Sequence, residues 1–216
     1  MLERLRESLP PNWPDDIDLD KVITIVQDEG LPLVWVPRAE IVTELLAAPD
    51  RTARVEVLLT HPDELVDDCR GVLGDVTHTS LSGQQPLAVK ALEAFTAGHH
   101  EAAQALAVTV TETAVAYALG SKYSEVKQKV LFDPDLVRYT EMRLQAALAP
   151  IGPFYTTWYA SSGTPAPVAL SRHVTVHQAD QTHYTQANAT VSILLASSAL
   201  RALQELQELA EASEMG

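Results

Sequence analysis

Apolar positions recur at helical spacing from Ala39 onward, where Ile41, Val42, Leu45 and Leu46 fall on one side of a first helix. Pro49-Asp50 stops it, and Asp50 is placed to cap the next helix, whose apolar positions are Val55, Leu58 and Leu59. His61-Pro62 ends that one, and Asp63 falls in the first turn of a third, where its charge suits the helix dipole. The third carries its buried stripe at Leu65, Val66, Cys69, Val72 and Leu73. Residues 39–76 therefore read as three short antiparallel helices. The Thr77–Pro86 stretch, rich in Thr, Ser, Gly and Gln, reads as a loop or subdomain boundary.

The residues before Ala39 are less regular. A short helix over Leu2–Leu9 is broken by Pro10, Pro11 and Pro14. Asp15, Asp16, Asp18 and Asp20 lack EF-hand spacing and read as the solvated acidic start of the next helix. Leu19, Val22, Ile23, Ile25 and Val26 predict a short buried helix over Leu19–Gln27. Gly30–Arg38 reads as an extended segment pinned by Pro32 and Pro37, with Trp35 as a core anchor.

Beyond the loop, Leu87, Ala91, Leu92 and Phe95 lead to Gly98-His99-His100, a polar turn or helix start. Ala102, Ala103, Leu106, Val110 and Ala114 then continue at helical spacing. Residues 120–143 are polar and locally basic, with Lys122, Lys127 and Lys129 close together and Arg138 and Arg143 further on. They read either as a solvated face, partly balanced by Glu125, Asp133, Asp135 and Glu141, or as a rim facing phosphate. Leu144–Leu148 finishes a helix before Pro150. A long loop follows with Phe154, Tyr155, Trp158 and Tyr159, which either pin the loop to a bundle or stack on bases. The last helix holds a stripe at Val191, Leu194, Leu195, Ser198, Ala202, Leu206 and Leu209, with a charged end from Gln204 to Glu214 that is expected to fray.

With 46% hydrophobic residues in 216, the chain has ample material for a core. Its formal charge of −14 argues against a general nucleic-acid coat and leaves room only for a small basic cleft. The single cysteine excludes an intramolecular disulfide framework and suits a reducing compartment. The charged start of the sequence lacks the apolar core of a signal peptide, and no window of about 18 apolar residues is read as a membrane span. A cytoplasmic protein without a membrane partner is expected.

Against that acidic background, one stretch concentrates Arg172, His173, His177 and His183 between Leu170 and the last helix. Arginine offers a permanent charge in a fork that matches phosphate, and histidine can give and take a proton near neutral pH. Arg172-His173-Val-Thr-Val-His177 resembles the R-x4–6-H signature of HEPN-domain ribonucleases, placed just before the last long helix. The resemblance covers residues 87–210 and implies an all-α, HEPN-like helical bundle; residues 1–80 form an N-terminal helical region that is assigned to no family. It further implies a metal-independent endoribonuclease, free of cofactors and acting in defence or toxin-like growth control. Arg172 would bind the scissile phosphate, His177 would do acid/base work, and His173 would support their geometry. Lys122, Lys127, Lys129 and Tyr184 are the candidate RNA contacts. A neutralising or regulatory partner protein is also implied. Where some HEPN toxins carry a tyrosine two residues after the histidine, this sequence has Ala179, so control by modification of such a tyrosine is not supported.

Positions five apart on an ideal helix point roughly 140° away from each other. Arg172 and His177 therefore need either irregular backbone after Pro167 or a second copy of the chain; the resemblance implies the second, a two-fold homodimer. Two other readings stand beside this one. In the first, Arg172 and His177 are structural and the protein is a non-catalytic HEPN-like scaffold. In the second, His173 and His177 share a helical face and bind zinc, with His183 or Asp180 as a third ligand. No Gly-x-Ser-x-Gly elbow, Walker motif or Rossmann glycine pattern supports other chemistry.

Overall fold

Helices account for every regular element among the described residues, 9–132 and 142–214, of the computed structural model. The helix expected over Leu2–Leu9 falls almost wholly outside these residues, as does Arg138 of the basic stretch. Helix α1 (Leu19–Ile23) is capped by Asp18, whose carboxylate accepts from the Lys21 amide at 3.3 Å. It runs on as a π-helical turn over Thr24–Asp28. Gly30, at φ 71°, then lets the Leu31 amide return to the Ile25 carbonyl at 3.0 Å, closing the helix end.

The segment after Gly30 is irregular, so its backbone groups need partners from elsewhere. Asn12 supplies them: its amide donates to the Leu33 carbonyl at 3.0 Å and the Pro37 carbonyl at 2.6 Å, and its oxygen accepts from the Trp35 amide at 2.9 Å. Trp13 adds a bond from its indole to the Leu33 carbonyl at 2.7 Å. Trp35 packs against the core only in part; its ring also lies 5.5 Å from the Arg201 guanidinium.

Helices α2 (Ala39–Ala47), α3 (Arg51–Thr60) and α4 (Pro62–Gly74) occupy the three predicted stretches. Asp50 caps α3 through the Ala53 amide at 3.0 Å, and Pro62 opens α4. Arg54, unremarked in the sequence, is buried. It pairs with Glu29 and donates to two carbonyls at the end of α2, Leu45 at 2.9 Å and Ala48 at 2.8 Å. Cys69 is fully buried, and burial pushes its thiol up to about 12, which makes it inert.

Helices α5 (Gln85–Thr96) and α6 (His100–Leu119) form a hairpin at Gly98, with the His100 ring 5.0 Å from Phe95. By length and composition α6 is apolar enough to cross a bilayer, contrary to the sequence reading; here it packs against α5 and its later neighbours. Shorter helices follow: α7 (Tyr123–Lys129), α8 (Met142–Leu148), α9 (Ile151–Phe154) and α10 (Arg172–His177).

The last helix, α11 (Gln186–Glu214), is the axis of the fold. Helices α3, α4, α5, α6 and α8 all pack on it, and every residue from Asn188 to Leu200 is buried. The predicted stripe is thus replaced by burial on all sides. Enclosing Leu194 and Leu195 contributes about 1.5–3 kcal/mol each. Two of the serines here are satisfied within the helix: Ser192 donates to the Ala189 carbonyl at 2.8 Å and Ser197 to Ile193 at 2.9 Å, whereas the Ser198 hydroxyl is buried without a partner.

The charged end of α11 is helical through Glu214, and contacts tie it down as far as Glu211. Gln204 is buried and accepts from the Thr77 and His78 amides at 2.6 and 3.0 Å while donating to the Asp75 carbonyl at 3.1 Å. Glu205 pairs with Arg143, and Glu211 meets His78 at 3.1 Å. Leu209, assigned to the buried stripe from sequence, is 53% exposed. A cluster of buried apolar side chains runs from Trp13 to Leu203, so the core continues across the Thr77–Pro86 stretch.

Candidate functional site

The Arg-His motif lies on α10, a short helix that the chain fastens at both ends. Ser171 caps it by accepting from the Val174 amide at 3.5 Å and donates its own hydroxyl to the Thr156 carbonyl at 3.1 Å. At the other end, the Tyr184 hydroxyl donates to the Thr175 carbonyl. Val174 and Thr175 turn inward as α10 packs on α6, Arg172 reaches into that junction, and His173 and His177 are left partly and fully exposed.

Arg172 and His177 meet within one chain. Arg172 Nη1 donates to His177 Nε2 at 3.2 Å although the backbone between them is helical. The angular objection raised by the sequence fails because the long arginine side chain is swung sideways by α6. Its Nη2 pairs with Glu112, and its guanidinium lies 5.1 Å from the centre of the Tyr123 ring. The Tyr123 hydroxyl donates to Glu112 at 2.8 Å, and its ring stacks on Tyr155 at 4.6 Å. Neither irregular backbone nor a second copy is needed for the two motif residues to touch.

The electrostatics follow from this packing. Burial works against the charge of Arg172, but the hydrogen bond and charge of Glu112 override it, and the guanidinium is held above its ordinary value. Burial and then the Glu112 hydrogen bond raise Tyr123; burial raises Tyr155 further. His173 is pushed below the usual imidazole value by burial, then by His177 and Arg172. Its ring centre lies 4.8 Å from that of His177 and 4.8 Å from that of Tyr159.

These rings open onto a cleft of about 300 Å³ lined by Trp158, Tyr159, Ala160, His173, His177 and Gln178. The four loop aromatics divide accordingly. Phe154 and Tyr155 are buried, whereas Trp158 and Tyr159 line the cleft, with the Trp158 indole tied to the Thr164 carbonyl at 2.9 Å.

The remaining predicted residues are not gathered around this cleft. Lys122 is exposed and pairs with Glu125 at 3.0 Å, Lys129 donates to the Leu119 carbonyl at 2.6 Å, and Lys127 is half-buried on the same helix, α7. Tyr123, the first residue of that helix, lies against Arg172. The Tyr184 hydroxyl is occupied by the Thr175 carbonyl, so its visible work is to brace α10.

His183 and Asp180 are committed to structure as well. His183 is buried; its Nδ1 donates to the Pro167 carbonyl at 3.2 Å, which leaves Nε2 to accept from the Thr175 hydroxyl at 3.0 Å. Gln104 of α6 donates in turn to Thr175 at 3.1 Å. Asp180 accepts from the Thr182 amide and hydroxyl, both at 2.8 Å. Neither residue joins His173 and His177 as a third zinc ligand, and no group of three suitable ligands occurs among the described residues.

Glu112, Tyr123 and Gln104 were not found from sequence. Glu112 left a trace there, a carboxylate deep inside an alanine-, valine- and threonine-rich helix. Comparison with protein-family models, curated proteins and solved structures finds no match to this chain.

Proposed function

We propose that the protein is a metal-independent endoribonuclease of HEPN type, with the cleft beside α10 as its active site. The observation that carries this reading is the 3.2 Å contact between a permanently charged guanidinium and an imidazole, at the edge of a cleft walled by two aromatic rings. Aromatic walls suit unstacked bases of single-stranded RNA. A phosphate oxygen entering the cleft takes Nη1 of Arg172 in place of His177, which frees His177 Nε2. The 2′-hydroxyl then attacks phosphorus, one imidazole accepting its proton, while the bond to the 5′ oxygen breaks and the other imidazole, in its protonated form, donates a proton to that oxygen. The products are a 2′,3′-cyclic phosphate and a 5′-hydroxyl. His173, held below the usual imidazole value chiefly by burial, sits with its ring 4.8 Å from that of His177 and is placed to accept a proton. Arg172 offsets the charge that builds on the phosphorus oxygens. Homodimerisation, a neutralising or regulatory partner protein, a cytoplasmic location and a role in defence or toxin-like growth control belong to the same proposal and rest on the motif resemblance.

One observation favours a second reading, a non-catalytic scaffold. The Arg172 side chain is only 14% exposed and already paired with Glu112, as a residue that docks α10 onto α6 would be. Incubation of the purified protein with total RNA and tRNA in EDTA, beside His177→Ala, separates the two. Cleavage by the wild type alone, leaving 2′,3′-cyclic phosphate ends, supports the ribonuclease. No cleavage by the folded protein leaves the scaffold.

A further inference from the structure

A second cavity, sharing no residue with the cleft, has a volume of about 180 Å³. Its polar wall comes from Asp28, Glu29 and Arg51, and its apolar wall from Pro153, Phe154 and Leu195 among others. Gly30 also lines it, at φ 71°, where a Cβ would come within 3.0 Å of Pro153; the chain can pass this close only as glycine.

The polar wall is not satisfied from within the protein. Arg51 donates through Nε to the Glu29 carbonyl at 3.0 Å, and its terminal nitrogens have no hydrogen-bond partner among the described residues. Burial lowers the Arg51 guanidinium from its ordinary value, so the charge is poorly solvated where it stands. One carboxylate oxygen of Glu29 pairs with Arg54, while the other, Oε2, is buried with no partner. The unpaired Glu29 oxygen is costly where it stands, and the terminal nitrogens of Arg51, which are not sealed from solvent, keep their donors open to an entering acceptor.

The chemistry restricts the occupant. The free edge of a guanidinium suits a carboxylate, held by two parallel hydrogen bonds. A bare anion would be repelled by the Asp28 and Glu29 carboxylates in the same cavity, whereas a cationic group beside the carboxylate turns that repulsion into attraction. Proline, phenylalanine and leucine side chains suit a short aliphatic group. The volume is about six times that of a water molecule in the liquid and falls below the range of pockets for drug-sized ligands. We propose that this cavity binds a free α-amino acid with a short aliphatic side chain, its carboxylate on Arg51 and its ammonium toward Glu29.

Calorimetric titration of the full chain with L-valine tests this without reference to RNA cleavage, so its outcome is independent of the ribonuclease reading. Isovalerate lacks the ammonium and isobutylamine lacks the carboxylate; each is expected to bind at least about tenfold more weakly than L-valine. Arg51→Gln is expected to weaken L-valine by at least about tenfold, and His177→Ala to leave it unchanged. Ala169→Leu, which keeps every charge and fills the cavity from the loop that lines it, is expected to abolish binding. Should Arg51→Gln fail to fold, Ala169→Leu decides the matter. Absence of L-valine binding to the wild type, or equal binding by wild type and Ala169→Leu, overturns the proposal.

Discussion

Glu112 and Arg172 form the junction between α6 and α10, the carboxylate accepting at once from Nη2 of the arginine and from the Tyr123 hydroxyl. Glu112 thereby aims the guanidinium so that Nη1 reaches His177. Without it, the largely buried charge loses its counterion and α10 loses a tether.

Glu112→Gln keeps the shape of the side chain and removes its charge. It is expected to lower unfolding stability by about 1–3 kcal/mol, the cost of a buried hydrogen bond to a charged group, and the melting temperature by several degrees. Tyr123→Phe removes only a neutral donor and is expected to cost about 1 kcal/mol. Urea unfolding of both variants measures the difference. Equal stability of wild type and Glu112→Gln would show that the pair does not hold α10.

Buried His183 and partly buried His173 make stability depend on pH. Burial holds His183 below the usual imidazole value, with the Pro167 and Ser171 backbone hydrogen bonds only partly opposing it, and His173 is lowered too. The unfolded chain therefore binds more protons than the folded chain as pH falls through the ordinary imidazole value of about 6.5. Stability rises with pH there, so acidification from pH 8 toward pH 5 is expected to destabilise the protein. His183→Gln is expected to flatten this slope, whatever its effect on absolute stability. Urea melts at several pH values check it, and an unchanged slope would mean that His183 does not titrate with unfolding.

Gly30 is a backbone requirement, unlike Gly74. Gly30→Ala places a Cβ in left-handed backbone and 3.0 Å from Pro153, and is expected to lower stability by about 1–3 kcal/mol. Gly74 lies in α4 with nothing within 4 Å of an added Cβ, so Gly74→Ala is expected to be neutral or stabilising by up to about 1 kcal/mol. Chemical unfolding of the pair tests the contrast.

What the sequence disclosed was local. The Asp50 cap, the His61-Pro62 junction, the inert Cys69 and the turn before His100 all follow from neighbouring residues and are present in the fold. The enclosure of α11 was not legible, because only one stripe, with Ser198 in it, could be read there, and the burial of Ser192 and Ser197 outside that stripe depends on five helices arriving from elsewhere. Gln204 looked like part of a fraying end for the same reason; its partners lie more than a hundred residues away. At the candidate site, Arg172, His173 and His177 were visible as a cluster. Glu112 and Tyr123, which set the direction of the arginine, became neighbours only through the packing of α10 and α7 beside α6.

The ribonuclease proposal turns on separating charge from placement at the motif. His177 is exposed, so His177→Ala is expected to fold normally and to lose cleavage by at least about 100-fold, the usual scale of acid/base catalysis. Arg172→Ala is a poorer probe, because it also strips Glu112 of its partner and loosens α10. Arg172→Lys keeps the positive charge beside Glu112 but cannot offer a planar fork to both the carboxylate and a phosphate. It is therefore expected to retain most of the stability and little of the activity. Cyclic-phosphate end mapping, alongside circular dichroism of each variant, reads both quantities. A folded Arg172→Lys, His177→Ala double variant that still cleaves RNA at the wild-type rate would move catalysis away from α10 and leave Arg172 as a docking residue.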